Sequence, residues 1–155
     1  MPKPRLIEIA PVDGSFADVL AEIHDQSFAE SWDAAALHRL LEAPAAVALQ
    51  AVDLDQAKTV GFVLAFAAAG EAEILSIAVA QDQRRHGIGG QLIDQLISQL
   101  RDDGTTRLFL EVAADNLAAR GLYRQKKFSE TGRRKGYYVS ETGEATDALM
   151  LALEL

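Results

Sequence analysis

Residues 83–90 have the sequence Gln83-Arg84-Arg85-His86-Gly87-Ile88-Gly89-Gly90, and this short stretch decides the fold. It follows an apolar run at residues 74–79 that predicts a strand, and it opens a segment, residues 88–100, with apolar residues at helical spacing. A turn between a strand and a helix leaves backbone N–H groups without partners, and the helix dipole adds partial positive charge there. Because its glycines also let a ligand approach the backbone, the turn is expected to bind phosphate.

The order of the glycines narrows the choice of phosphate ligand. No Gly-Lys-Ser/Thr ends the turn, so it is not a Walker A loop, and Leu92 stands where the dinucleotide fingerprint needs its third glycine. The remaining order, Arg-x-x-Gly-x-Gly, resembles the acetyl-CoA pyrophosphate loop of the GNAT N-acetyltransferases. An ordinary glycine turn flanked by solvated arginines is the alternative. The resemblance implies acetyl-CoA as the cofactor, bound by Arg84, Arg85, His86, Gly87, Ile88, Gly89 and Gly90.

The composition is that of one globular domain, residues 1–155, with 49% hydrophobic and 25% charged residues. The absence of cysteine excludes disulfides, cysteine-based zinc sites and a cysteine nucleophile, so direct attack of an amine on the thioester is expected. No histidine has the spacing of a metal ligand, so no metal is expected. Residues 1–5 lack the apolar core of a signal peptide, and the apolar run at residues 60–69 is too short to span a bilayer. We therefore expect a cytoplasmic protein with no membrane partner.

The net charge of −8 is unevenly distributed along the chain. Residues 84–138 carry 11 basic and 6 acidic side chains, whereas residues 1–83 carry 4 basic and 13 acidic side chains. A basic middle segment suits a polyphosphate cofactor, and acidic flanks suit a cationic acceptor; selection for solubility alone explains the charges equally well. No basic patch with interleaved aromatic residues is present, so direct binding of nucleic acid is not expected.

The hydrophobic pattern predicts the order β-α-α-β-β-β-α-β-α-β-β. Ser15, Asp33 and either Asp115 or Asn116 are candidate helix caps, and Gly104 is the candidate terminator of the third helix. Hairpin-like neighbours followed by a strand–helix–strand unit predict an α/β fold with a mixed sheet of about seven strands and four helices on both faces. This order matches the GNAT fold. Strands are expected at residues 6–9, 46–52, 59–67, 72–80, 107–112, 128–131 and 145–154, and helices at 15–28, 33–41, 88–103 and 116–126.

A candidate general base lies near the end of the fifth predicted strand. Glu111 shares the carboxyl-end edge of the sheet with the glycine loop, because both strands run parallel across the intervening helix, and ligands gather at that edge. A carboxylate there can accept a proton from an attacking amine. A solvated strand carboxylate without a role in the chemistry is the alternative interpretation of Glu111.

Further segments resemble one branch of the family, the bacterial ribosomal-protein-alanine N-acetyltransferases of the RimI type. They are Leu110-Glu111-Val112 with Asn116, Leu122-Tyr123, Lys127-Phe128, the double-tyrosine segment Arg133-Arg134-Lys135-Gly136-Tyr137-Tyr138, Asp147-Ala148-Leu149-Met150 and Ser27-Phe28 with Ser31-Trp32. The resemblance implies transfer of an acetyl group to the N-terminal alanine of a small-subunit ribosomal protein. Two residues depart from the branch pattern but still fit it. Arg84 stands where glutamine is common, and Asp33 stands where serine is usual.

The resemblance also implies roles for individual residues. Glu111 would be the general base and Tyr123 the general acid near the CoA sulfur. Asn116 would contact the pantetheine arm, and the backbone of Ile77, Ala78 and Val79 would pair with the pantetheine amides like an added strand. Trp32, Tyr137 and Tyr138 would line the acceptor site, although Trp32 fits a core position between two helices equally well.

Two other functions remain open. One is acetylation of a small-molecule amine or antibiotic in the same fold, and the double-tyrosine segment argues against it. The other is a non-catalytic acyl-CoA-binding module that kept the loop and lost the chemistry. The presence of both Glu111 and Tyr123 argues against this second alternative.

Overall fold

A computed structural model describes residues 5–28 and 31–155 of the chain. Residues 1–4 lie outside this part. The expectation of no signal peptide concerns these residues. The described strands are β1 (Ile7–Pro11), β2 (Ala46–Asp53), β3 (Lys58–Ala68), β4 (Glu71–Val79), β5 (Arg107–Ala113), β6 (Ser129–Val139) and β7 (Ala145–Glu154). The described α-helices are α1 (Ala17–Asp25), α2 (Ala34–Leu41), α3 (Ile88–Asp102) and α4 (Leu117–Gln125), with short 3-10 turns at Gly14–Phe16 and Gln81–Gln83. The predicted order and the mixed sheet with helices are confirmed.

The strands form one sheet in the order β1-β2-β3-β4-β5-β7-β6. Among the described strands, β4 and β5 form the parallel pair, and the other neighbours are antiparallel. The parallel pairing joins Glu71–Ile74 to Arg107–Leu110 and goes no further, although both strands continue. A gap therefore opens in the sheet between the carboxyl-terminal ends of β4 and β5.

Helices cover both faces of this sheet, as predicted. On one face α3 buries an apolar stripe that includes Leu92, Leu96 and Leu100, and α4 adds Tyr123 to the same cluster. On the other face α1 and α2 form a smaller cluster against β3 and β4, centred on Leu20 and Leu37. Elements from the two faces thus meet at the gap between β4 and β5.

Helix caps are predicted well where the cap lies immediately before the helix. The Asp33 carboxylate accepts a hydrogen bond from the Ala36 N–H (2.8 Å), and the Asn116 side chain accepts one from the Ala119 N–H (3.2 Å). The predicted cap Ser15 is wrong: it lies inside a 3-10 turn, which Asp13 caps by accepting from the Ser15 N–H (2.8 Å), and no side chain caps α1 at its N-cap residue Phe16. In the described part of the chain no helix is long and apolar enough to cross a membrane.

Two boundaries differ from the prediction in ways that affect the site. α1 ends at Asp25, and residues 26–28 form a turn beyond it, whereas the pattern predicts a helix as far as residue 28. β6 continues to Val139, whereas the pattern predicts a strand only over residues 128–131. β6 is an edge strand with exposed residues on both faces, so it lacks the alternation of apolar and polar residues that marks a half-buried strand.

Candidate active site

The gap between β4 and β5 opens into a cleft of about 800 Å³. Its walls come from both faces of the sheet, with the turn after α1 on one side and the start of α4 on the other. All the residues predicted to bind the cofactor line this cleft except His86, which is exposed to solvent outside it. The cleft residues are Ser27, Phe28, Ile77, Ala78, Val79, Gln81, Gln83, Arg84, Arg85, Gly87, Ile88, Gly89, Gly90, Asn116, Ala118, Ala119, Leu122 and Tyr123.

The glycine loop presents main-chain amides to the cleft. Gly87 is the N-cap of α3 with φ = 76°, and no side chain caps it. The first helical hydrogen bond runs from the Gln91 N–H to the Gly87 carbonyl oxygen (3.1 Å), so the amides of residues 88–90 are left for another acceptor. Together with the positive end of a 15-residue helix, this geometry suits an anionic ligand.

The three glycines of the loop have different roles. A Cβ atom at Gly87 would meet no atom within 4 Å, so this position faces open space. A Cβ at Gly89 would lie 3.2 Å from the Leu122 side chain, and a Cβ at Gly90 would lie 3.3 Å from the Lys126 side chain. These two glycines therefore let α3 pack closely against α4, a role that the sequence pattern does not indicate.

The two arginines of the loop point to different partners. The Arg84 guanidinium donates from Nε to the Val79 carbonyl oxygen (3.2 Å) and from Nη2 to the Gln26 carbonyl oxygen (3.1 Å) and Ser27 Oγ (3.0 Å). Arg85 has φ = 67°, lines the cleft and makes no side-chain hydrogen bond or ion pair within residues 5–28 and 31–155. Arg85 is therefore the better placed of the two to contact a bound anion.

Tyr123 lines the cleft from α4. Its side chain is 5% exposed and makes an edge-on contact with Phe128, with ring centroids 5.5 Å apart. Burial raises the pKa of Tyr123 to about 12, so the hydroxyl stays protonated at neutral pH. This position fits the predicted place beside the CoA sulfur. The raised pKa affects whether the hydroxyl could donate its proton there.

Glu111 lies on β5 immediately after the last residue paired with β4, at the start of the gap. Its Oε1 accepts a hydrogen bond from the Tyr138 hydroxyl (2.8 Å), and the Arg134 Nε lies 3.8 Å from its Oε2. Partial burial, followed by the hydrogen bond to Glu111, raises the pKa of Tyr138 to about 12. Tyr137 packs edge-on against Tyr138, and the Arg134 guanidinium lies over the Tyr137 ring, 4.8 Å from its centroid. The double-tyrosine segment and the candidate base thus form one cluster.

A bulge in the β6–β7 pair brings Tyr138 to Glu111. Arg134 pairs with Ala148 and Tyr138 pairs with Thr146, so three residues of β6 oppose Asp147 alone. The Asp147 carboxylate accepts from the Gly136 N–H (2.9 Å) and from Arg133 Nη1 (3.1 Å). The Gly136 hydrogen bond, more than Arg133, holds the pKa of Asp147 below its usual range. Asp147 therefore fixes the bulge.

Trp32 does not line the cleft. Its indole stacks on the buried His24 at 4.7 Å between ring centroids, and the Trp32 backbone N–H donates to His24 Nδ1 (3.1 Å). Phe28 also stacks on His24, at 4.3 Å. Of the two interpretations left open, the contacts favour the core position, with Phe28 as the aromatic residue that reaches the cleft.

Several residues of the site had no individual role predicted from the sequence. Ser27 and Phe28 line the cleft, and Arg134 and Asp147 organise the cluster around Glu111. Gln83 lines the cleft, is 3% exposed, and its Oε1 has no hydrogen-bond partner in the described part of the chain. The same part of the chain contains no group of three or more acidic or histidine side chains that could hold a metal ion. The sequence pattern predicts no individual role for these residues because their contacts join distant segments.

Comparison with known proteins is consistent with this geometry. Residues 17–128 match the family model described as Acetyltransferase (GNAT) family. The [ribosomal protein bS18]-alanine N-acetyltransferase of Escherichia coli K12 is 37% identical over 98 residues, 63% of this chain and 66% of that enzyme, just under two thirds. The Haemophilus influenzae enzyme of the same name is 32% identical over 102 residues, 66% of this chain and 69% of that enzyme.

A solved structure extends the match to nearly the whole chain. The crystal structure of the ribosomal-protein-S18-alanine N-acetyltransferase from Escherichia coli superposes with a TM-score of 0.89 and 28% identity, covering 96% of this chain and 94% of that chain. Together these matches confirm the resemblance drawn from the glycine loop and the double-tyrosine segment, and with it the expected fold class.

Proposed function

The chain belongs to the acetyltransferase (GNAT) family, and we propose that it transfers the acetyl group of acetyl-CoA to the N-terminal α-amine of a protein. Family membership confirms the predicted enzyme class and acetyl-CoA as the acyl donor. The proposed acceptor is the N-terminal alanine of ribosomal protein bS18, the substrate in the names of the relatives from Escherichia coli and Haemophilus influenzae. With a ribosomal acceptor, the reaction takes place in the cytoplasm.

One observation carries this proposal: the hydrogen bond between the Tyr138 hydroxyl and Glu111 Oε1. It joins the residue proposed as the base to the segment proposed to hold the acceptor peptide. This hydrogen bond lies at the start of the gap between β4 and β5, and the glycine loop lines the cleft that opens there. An amine held against the two tyrosines would therefore approach a thioester from the side on which a carboxylate can take its proton.

The proposed reaction is a direct displacement. The amine nitrogen attacks the thioester carbonyl carbon, so a C–N bond forms and the C–S bond breaks. Glu111 accepts the proton that the nitrogen loses, directly or through water. An N-terminal amine has a reference pKa of ~7.7–8.0, against ~10.4 for lysine, so an α-amine is more often neutral and ready to attack.

Tyr123 is proposed to stabilise the leaving thiolate by a hydrogen bond rather than by donating its proton. Burial raises its pKa to about 12, whereas a free thiol titrates at ~8.5, so complete proton transfer is uphill. A buried hydroxyl that donates to a developing negative charge still lowers the barrier. Solvent then protonates the thiolate after it has left.

The decisive experiment incubates the purified chain with acetyl-CoA and a peptide carrying the bS18 N-terminus, and follows CoA release and peptide mass. The matched control is the same peptide with a blocked N-terminus, which keeps any lysines. We expect acetylation of the free α-amine alone. Acetylation of small-molecule amines in preference to the peptide would instead indicate a small-molecule acetyltransferase. Acetyl-CoA binding without any turnover would indicate a non-catalytic module.

A further inference from the structure

The contacts of Arg84 argue against a simple role in binding phosphate. Three hydrogen bonds occupy its Nε and Nη2, and all three acceptors belong to the protein. The bond to Val79 also uses a main-chain carbonyl at the end of β4. To contact a phosphate with these groups, the guanidinium would have to give up bonds it already makes.

Two of the three acceptors lie in the turn of residues 26–28, which we call the α1 turn. Arg84 reaches the Gln26 carbonyl oxygen and Ser27 Oγ. A second link runs the other way, from the Gln81 N–H to the Gln26 side-chain oxygen (2.7 Å). Two side chains thus cross-connect segments that are more than 50 residues apart in the sequence.

The α1 turn is part of the site and not only of the scaffold. Ser27 and Phe28 line the cleft opposite the residues of α4, which belong to the other face of the sheet. Phe28 is stacked on His24, which in turn stacks on Trp32. A movement of the glycine loop would therefore reach Phe28 and Trp32 through Arg84.

We propose that Arg84 is a positioning residue that couples occupation of the glycine loop to the placement of the α1 turn, while Arg85 contacts the diphosphate. This inference rests on the proposed function. An ordered α1 turn completes the wall of the cleft that an acceptor contacts after acetyl-CoA has bound. By linkage, the acceptor then tightens acetyl-CoA binding by the same factor.

The first test uses acetyl-CoA alone, so it does not depend on the acceptor. Trp32 is the sole tryptophan of the chain, and its fluorescence reports on the stack beside the α1 turn. Acetyl-CoA is expected to change this fluorescence in the wild type. In Arg84→Gln the change is expected to be lost, although calorimetry gives a nearly unaltered Kd. No change in the wild type, or an equal change in Arg84→Gln, would overturn the coupling.

The second test separates coupling from charge. Arg84→Lys keeps the positive charge but lacks the planar fork that serves several acceptors. Both Arg84 variants should raise the KM for an acceptor peptide about fivefold or more, the lower end of usual coupling between sites. If Arg84→Gln weakened acetyl-CoA binding and Arg84→Lys did not, Arg84 would be a phosphate ligand and the inference would be wrong.

Arg85→Gln is the matched control, because it removes the neighbouring charge without touching the α1 turn. It should weaken acetyl-CoA binding in a salt-dependent way and retain the Trp32 response at saturation. Should an Arg84 variant fail to fold, Ser27→Ala removes one acceptor only and should reduce the Trp32 response. A full response in Ser27→Ala with a raised acetyl-CoA Kd would count against the coupling.

Discussion

The two halves of the site use different chemical groups. The donor half, residues 77–90 with the start of α4, offers mainly backbone amides and a helix end, and its side chains are mostly small or apolar. The acceptor half, Glu111 with β6 and β7 around the bulge, is a cluster of charged and phenolic side chains joined by hydrogen bonds. Backbone shape therefore governs the first half, and individual functional groups govern the second.

This difference predicts separable effects of substitution. Changes in the donor half should act on the Kd for acetyl-CoA, because they move the amides that bind it. Changes in the acceptor half should act on kcat or on the KM for the acceptor and leave donor binding intact. Single substitutions in each half can therefore test whether the effects on donor binding and on the acceptor are independent.

Glu111→Gln should have the largest effect. Glutamine keeps the shape and can still accept a hydrogen bond from Tyr138, but it cannot take a proton. We expect kcat/KM for the acceptor to fall by about 10²–10⁴, the usual range for loss of a general base. Steady-state kinetics measure this fall, and calorimetry with acetyl-CoA should give an unchanged Kd. Undiminished turnover would remove Glu111 from the chemistry.

Tyr123→Phe should lower kcat by roughly 10–100-fold, because a hydrogen bond to a charged group contributes about 1.5–3 kcal/mol. Acetyl-CoA affinity should change little, since the phenyl ring keeps the contact with Phe128. The pKa of about 12 also means that Tyr123 does not titrate near neutral pH. The pH profiles of wild type and variant should therefore have the same shape around neutrality, and a limb lost in the variant would indicate proton donation by Tyr123.

Gly87→Ala tests the donor half. Gly87 adopts φ = 76°, and an L-residue there costs about 1–2 kcal/mol, which the loop can relieve only by moving its amides. Acetyl-CoA binding should weaken about tenfold, the equivalent of ~1.4 kcal/mol, as measured by calorimetry. The kcat at saturating acetyl-CoA should fall much less than in Glu111→Gln.

Gly104→Ala supplies the control for this variant. Gly104 lies just beyond the other end of α3 and has φ = 85°, and a Cβ atom there would also meet no atom within 4 Å. Its substitution should lower thermal stability to a similar degree and leave acetyl-CoA binding unaltered. Equal loss of binding in both variants would mean that the effect of Gly87→Ala is general destabilisation.

The donor half was largely predictable because its signals are local. The glycine loop lies directly between its strand and its helix, and the Asn116 side chain caps α4 through an amide three residues away. The apolar stripe of α3 follows helical periodicity along its whole length. Each of these features is contained within one short window of sequence.

The acceptor half was predictable in its residue types but not in its geometry. The bulge opposite Asp147 depends on pairing between two strands, and the exposed edge strand β6 has no periodic pattern that would reveal its length. In the donor half the same is true of Arg84, whose direction depends on partners 57 and 58 residues away. Such features arise from tertiary contacts, which a single sequence does not display.

Asp147→Asn should have the smallest effect on the reaction and a distinct signature in stability. Asparagine can still accept from the Gly136 N–H but loses the attraction to Arg133, so the bulge should loosen and the KM for the acceptor should rise a few-fold, with an unchanged Kd for acetyl-CoA. Steady-state kinetics with varied acceptor peptide measure the rise. An altered acetyl-CoA Kd would break the separation between the two halves.

The stability signature of Asp147 follows from the direction of its pKa shift. The folded-state pKa is held below the usual 3.8, chiefly by the Gly136 N–H. A depressed pKa means that the carboxylate stabilises the fold above pH 3.8 and loses this contribution as the pH falls through the folded-state pKa. The wild type should therefore unfold at a higher temperature than Asp147→Asn at neutral pH, and the difference should shrink as the pH is lowered below 3.8. A difference independent of pH would mean that the Asp147 charge does not hold the bulge.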